Sequence, residues 1–112
     1  MIAHNVGFCC NGGGVLGGVT VNATGEMAEK CPECLGEFEF LHVSSTSGKF
    51  VYKNKQGNLL MYFSHTNVWG TGYNGFESEV TEVDCPADVT TWKYYRSGSS
   101  SGSDAPMTVT CT

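Results

Sequence analysis

The stretch Phe50–Trp69, FVYKNKQGNLLMYFSHTNVW, decides the fold. Phe50 and Tyr52, then Leu60 and Tyr62, alternate with neighbours on the opposite face, and Asn54-Lys55-Gln56-Gly57-Asn58 parts the two apolar runs. Alternation on either side of a Gly/Asn-rich gap predicts a β-hairpin. Both faces of the run from Leu59 to Phe63 are apolar or aromatic, which predicts an inner strand with cover on each side and not a wet edge. Other strands must therefore flank it.

Candidates for those strands lie on both sides. Val15 to Asn22, with Gly17 and Gly18 inside it, reads as a strand with a bulge or a close backbone approach. Glu37 to Val43 alternates, with Phe38, Phe40 and His42 on one face and Glu37, Glu39 and Leu41 on the other. Val89 to Arg96 sets Trp92 and Tyr94 against Lys93 and Tyr95, and Met107 to Thr112 is the last strand. Glu26 to Lys30 is the only helical candidate, one turn long before Cys31-Pro32-Glu33-Cys34. Gly70 to Gly75 is a glycine-rich loop carrying Tyr73, Phe76 to Asp84 is extended and acidic, and Ser97 to Ser103 is a Gly/Ser connection. The expected class is all-β, a small antiparallel sandwich or barrel stapled by disulfides, with residues 1–112 as a single extracellular domain.

The staples are Cys9, Cys10, Cys31, Cys34, Cys85 and Cys111. A domain of 112 residues buries one modest core, and six cysteines in so small a chain point to disulfides and an oxidising, extracellular compartment. The vicinal Cys9 and Cys10 are expected to hold two different partners. Cys85 and Cys111 are most simply read as a bonded pair. The net charge is -5 with no basic run, which argues against nucleic acid and against anionic membrane surfaces as partners. No apolar run is long enough to span a bilayer. Met1-Ile2-Ala3-His4 lacks the basic start of a secretory signal, so a mature or excised domain is expected.

Gly36-Glu37-Phe38-Glu39, Gly48-Lys49-Phe50-Val51-Tyr52-Lys53-Asn54, Leu60-Met61-Tyr62-Phe63, Trp69-Gly70, Cys85-Pro86-Ala87, Trp92-Lys93-Tyr94 and Met107-Thr108-Val109-Thr110-Cys111 follow one another in an order that is familiar. It resembles a Trp- and Cys-containing β module of extracellular, often multi-domain proteins of invertebrates and other eukaryotes. That module pairs a "VYKN, LLYF, W" hairpin with a "CP, W, VTC" ending and has no settled biochemical function. The resemblance implies that an early and a final cysteine frame the domain, which makes Cys9 or Cys10 the partner of Cys111.

Several groups of residues are candidates for chemistry. Cys9, Cys10, Cys31 and Cys34 offer thiolates for zinc, but the first pair is vicinal where a zinc knuckle needs two residues between, and zinc would leave Cys85 and Cys111 over. A redox Cys-x-x-Cys belongs at a helix start beside a βαβ unit that this pattern lacks. His4, His42 and His65 sit in no catalytic motif, so no enzyme is expected. Glu77, Glu79, Glu82 and Asp84 suit calcium by type but lack the spacing of a calcium loop, and a solvated acidic strand explains them. No cofactor is therefore expected. Asn22-Ala23-Thr24 is an N-glycosylation sequon, a pattern common by chance.

Aromatic residues carry the functional expectation. Tyr73, Asn74, Tyr95 and Trp92 are the candidate ligand contacts, because extracellular β domains hold sugars by stacking rings and adding amide hydrogen bonds. Core packing competes with that role for both tryptophans. The chain is thus expected to be a secreted, non-enzymatic module that binds glycan or extracellular matrix. Its alternatives are a structural protein that self-associates through strand edges, and a secreted defence protein or toxin.

Overall fold

The computed structural model describes residues 17–71, 75–95, 103, 104 and 106–111. In chain order these form β1 (Val19–Ala23), the short helix α1 (Gly25–Lys30), a 3-10 turn (Pro32–Cys34), β2 (Gly36–Val43), β3 (Phe50–Asn54), β4 (Leu59–Phe63), β5 (Val68–Gly70) and β6 (Phe76–Ser78). A second 3-10 turn (Pro86–Asp88), β7 (Trp92–Tyr94), β8 (Ser103–Asp104) and β9 (Met107–Cys111) complete it.

The expected hairpin is β3 and β4, in antiparallel register with Tyr52 opposite Leu60. Its turn is made by Asn54, whose Oδ1 accepts from the backbone N–H of Gln56 at 3.1 Å and of Asn58 at 2.9 Å. Such side-chain mimicry of a backbone turn is what asparagine does best. Gly57, at φ 94°, takes the left-handed step that closes the turn.

All the strands belong to one antiparallel sheet of order β8-β7-β6-β5-β4-β3-β2-β1-β9. Neighbours in sequence are neighbours in space except at the two ends, where β9 returns to pair with β1. Only two residues of chain separate β8 at one edge from β9 at the other. The sheet must therefore curl until its edges approach, giving a nearly closed barrel. The class expected from sequence holds, and of its two forms the barrel is the one adopted.

Inward residues alternate as a pleat demands: Val19 and Val21, Phe38, Tyr52, Leu60 and Tyr62, Trp69, Phe76, Trp92 and Tyr94, Met107 and Val109. Ring pairs fill the centre, with Tyr62 edge-on to Trp69 at 5.7 Å and Phe76 edge-on to Trp92 at 5.4 Å. Gly18 is a close approach rather than a bulge, since a Cβ there would collide with the carbonyl oxygen of Phe38.

Three expectations change. The strand from Leu59 to Phe63 has a strand on each side, but its outward face is only partly covered, with Leu59 exposed and Met61 and Phe63 half-buried. The alternation of β2 breaks at a bulge between Phe40 and His42, so His42 pairs with Val51 and turns away from the face that holds Phe38 and Phe40. Within the acidic stretch from Phe76 to Asp84 only Phe76–Ser78 is strand.

The rest of that stretch crosses back over the barrel, pinned by inward rings. Tyr62 donates its hydroxyl to the Thr81 carbonyl at 2.6 Å, and Trp69 donates its indole N–H to the Val83 carbonyl at 3.1 Å. Lys49 pairs with Asp84 at 2.7 Å while its ammonium lies 4.8 Å from the Tyr62 ring centre.

Candidate functional site

An open groove of about 280 Å³ runs along the outside of β2 and β3. Glu37, Glu39 and Leu41 form one wall, Lys53, Asn54 and Lys55 the other, with Phe40 contributing as well. The alternation that buries Phe38 and Tyr52 sends Glu37, Glu39 and Lys53 outward. Leu41 joins them by the same alternation; it is the residue left without a partner at the bulge, and it is 44% exposed.

The electrostatics are simple. Glu39 stands opposite Lys53, and Lys53 stands opposite Leu59 on β4, so an acidic, a basic and an aliphatic residue lie in one row across the outer face. The side chains of Glu37, Glu39, Lys53 and Lys55 have no hydrogen-bond or ion-pair partner among the described residues. Their charges are available to something outside. Asn54 is not, because its amide oxygen holds the turn and its Nδ2 donates to the Glu33 carbonyl at 2.8 Å.

The groove is anchored from beneath by the Cys31-Pro-Glu-Cys34 turn. Cys31 and Cys34 are bonded to each other and buried, with Cα atoms 5.5 Å apart. Asn58 Nδ2 also donates to Glu33 O, at 2.9 Å, so two amides of the β3–β4 turn converge on one carbonyl. The Glu33 carboxylate and both sulfurs lie within 4.8 Å of one another, but the sulfurs are spent on each other and are not free thiolates. Cys85 and Cys111 are disulfide-bonded too, but not to each other as expected, since the one bond between two described cysteines is Cys31–Cys34, and no described cysteine is free. Cys9 and Cys10, with the framing disulfide expected of one of them, lie outside the described residues.

Of the four candidate ligand contacts, the described residues include Trp92 and Tyr95. Tyr73 and Asn74 lie outside the described residues. Trp92 is 2% exposed, an inward ring edge-on to Phe76, so it has no face to offer a ligand. Its indole N–H meets no acceptor among the described residues.

Tyr95 is the exception, half-buried at the end of β7 and beside the glycine-rich loop, where its backbone N–H donates to Gly75 O at 2.8 Å. Its hydroxyl donates to Glu77 Oε2 at 2.7 Å. That bond, helped by partial burial and by the negative charge itself, raises the phenol above its ordinary pKa. Burial raises the Tyr52 phenol as well.

Glu77 is thus engaged with Tyr95 and Asp84 with Lys49, and among the described residues the acidic stretch gathers no ligand set for a cation. His42 and His65 are both exposed, with His42 Nδ1 3.2 Å from its neighbour's carbonyl, while His4 lies outside the described residues. Sequence reasoning missed the groove, although its signal is present: Glu-x-Glu on β2 and Lys-x-Lys from β3 into the turn each put like charges on one face. Comparison with protein-family models, with characterised proteins and with solved structures gives no match to this chain.

Proposed function

We propose that the protein is a secreted, non-catalytic binding domain that takes an extended segment of a matrix polypeptide along the outer face of β2, β3 and β4. One observation carries the reading: two unpaired carboxylates face two unpaired ammonium groups over exposed Leu41 and Leu59. A backbone-extended peptide bearing both charges complements such a surface, and aliphatic anchors between them supply the desolvated contact.

The exposed apolar groups here are aliphatic, and the one ring in the groove, Phe40, is half-buried and edge-on to Phe50, whereas sugar stacking needs open aromatic faces. That favours polypeptide over glycan. Bonded cysteines support an oxidising location. Self-association by strand addition draws less support, since the sheet's end strands β8 and β9 are drawn towards each other.

The test is surface-immobilised binding to collagen, laminin and fibronectin beside a glycan array, using wild type, Leu41→Asp and a Lys53→Glu/Lys55→Glu double variant. Binding to a matrix protein that weakens roughly tenfold in either variant, and weakens with added salt, supports the reading. Matrix binding untouched by both variants overturns it. A glycan hit lost on Tyr73→Ala would move the site to the glycine-rich loop.

A further inference from the structure

We infer that Asn22 is a glycan acceptor, a modification site on the outer face beside the groove. Seven asparagines occur in the chain, and Asn22-Ala23-Thr24 alone has the acceptor pattern, with alanine in the middle position. A pattern of that length arises often by chance, so the placement of the residue has to decide.

Four asparagines are described, and three are at work in the fold. Asn54 builds the hairpin turn, Asn58 donates to Glu33, and Asn67 accepts near the Tyr62 hydroxyl at 3.2 Å in a left-handed conformation at φ 59°. Asn22 differs from all of them. Its side chain is exposed and has no hydrogen-bond partner among the described residues, so nothing in the barrel accounts for its being asparagine.

There is also room for a large adduct. Asn22 points outward, opposite the exposed Thr108 of β9, while the pairing of β1 with β2 has already ended at Val21 and Gly36. One flank is a small side chain and the other has no paired strand. Thr24 is exposed too, and its hydroxyl is not consumed in capping the helix that follows.

The donor is a lipid diphosphate-linked oligosaccharide. A bond forms between Asn22 Nδ2 and the anomeric carbon of the first sugar, the bond from that carbon to the diphosphate oxygen breaks, the amide proton passes to a base on the transferase, and lipid diphosphate leaves. The product is a neutral, hydrated chain on the outer face of β1, where the pairing with β2 has ended. Thr20, two residues along β1, pairs with Glu37 of the groove, so the sugar would stand roughly 7 Å along the strand from that wall.

The site shares only the secretory part of the proposed function. Its test is secretion of the full chain from a eukaryotic cell, with intact mass and peptide mapping before and after peptide N-glycosidase, for wild type, Asn22→Gln and Thr24→Ala. The expected result is a glycan on the wild type that the amidase removes, leaving aspartate at position 22, and its absence from both variants. A secreted, disulfide-bonded wild type of bare mass overturns the site and leaves the binding reading standing. Failure of the chain to be secreted in oxidised form overturns both.

Discussion

Asn54 Nδ2 donates to the carbonyl of Glu33 at 2.8 Å, joining a hairpin turn to a disulfide-closed turn that lies 21 residues earlier in the chain. The same side chain accepts two backbone N–H groups, so one buried amide fixes the turn's shape and its seat. Asn54→Ala removes all three bonds, the two that shape the turn and the one that seats it on Glu33. A loss of about 3 kcal/mol is expected in urea unfolding. A loss under about 1 kcal/mol would mean that the turn holds itself.

Tyr62→Phe tests the crossing of residues 79–84 over the barrel. The substitution keeps the ring against Trp69 and removes the hydroxyl that holds the Thr81 carbonyl. Stability should fall by about 1 kcal/mol, and hydrogen exchange at Thr81, whose N–H donates to Asn67 O, should quicken more than exchange in β3. Uniform quickening would show that the crossing is not locally held.

Gly18→Ala should cost about 2 kcal/mol or more, because the new methyl meets the Phe38 carbonyl, which is backbone and has little freedom to move. A thermal melt decides. Wild-type stability would show that β1 and β2 are not so closely apposed at this point.

What the sequence makes legible follows from what alternation can encode. The β3–β4 hairpin is readable because Phe50, Tyr52, Leu60 and Tyr62 fall on one face and Asn54-to-Asn58 supplies the turn. Trp92 is not readable as core or contact from its own strand; it is buried because Phe76 and the rest of a curled sheet surround it, which is a property of closure. His42 is misplaced by a one-residue bulge, whereas Leu41, the residue left without a partner there, keeps the outward face that alternation gives it with Glu37 and Glu39. Residues 79–84 show no period at all, because hydrogen bonds from Tyr62 and Trp69 hold them instead of a ladder.

Alkaline pH should weaken the fold in a definite direction. Tyr95 is raised by its bond to Glu77 from an ordinary value of 10.0, so it holds its proton more tightly folded than unfolded. Its contribution is whole below that unfolded value and is lost as pH rises through the higher folded one. Tyr52 acts in the same sense through burial. Denaturant midpoints measured as pH is raised above about 10 should fall for wild type and fall less steeply at onset for Tyr95→Phe. Identical slopes would remove the Tyr95–Glu77 bond from the account.

Replacing Cys31 and Cys34 together by alanine separates the two parts of the hairpin's anchor. The bond closes the shortest loop a Cys-x-x-Cys pair allows, with a sequence separation of 3, so the chain-entropy model gives it only about 2 kcal/mol. The domain should still fold. Its larger effect should be on Glu33, whose carbonyl is presented to Asn54 and Asn58 by the turn that the bond closes. Loss of the disulfide and loss of the Asn54 amide then remove overlapping parts of one contact. The triple variant should be less destabilised than the sum of its parts, by about 1 kcal/mol in a double-mutant cycle. Strict additivity would show that the disulfide and the hairpin turn are held independently, and that the groove wall at Asn54 and Lys55 owes nothing to the bond beneath it.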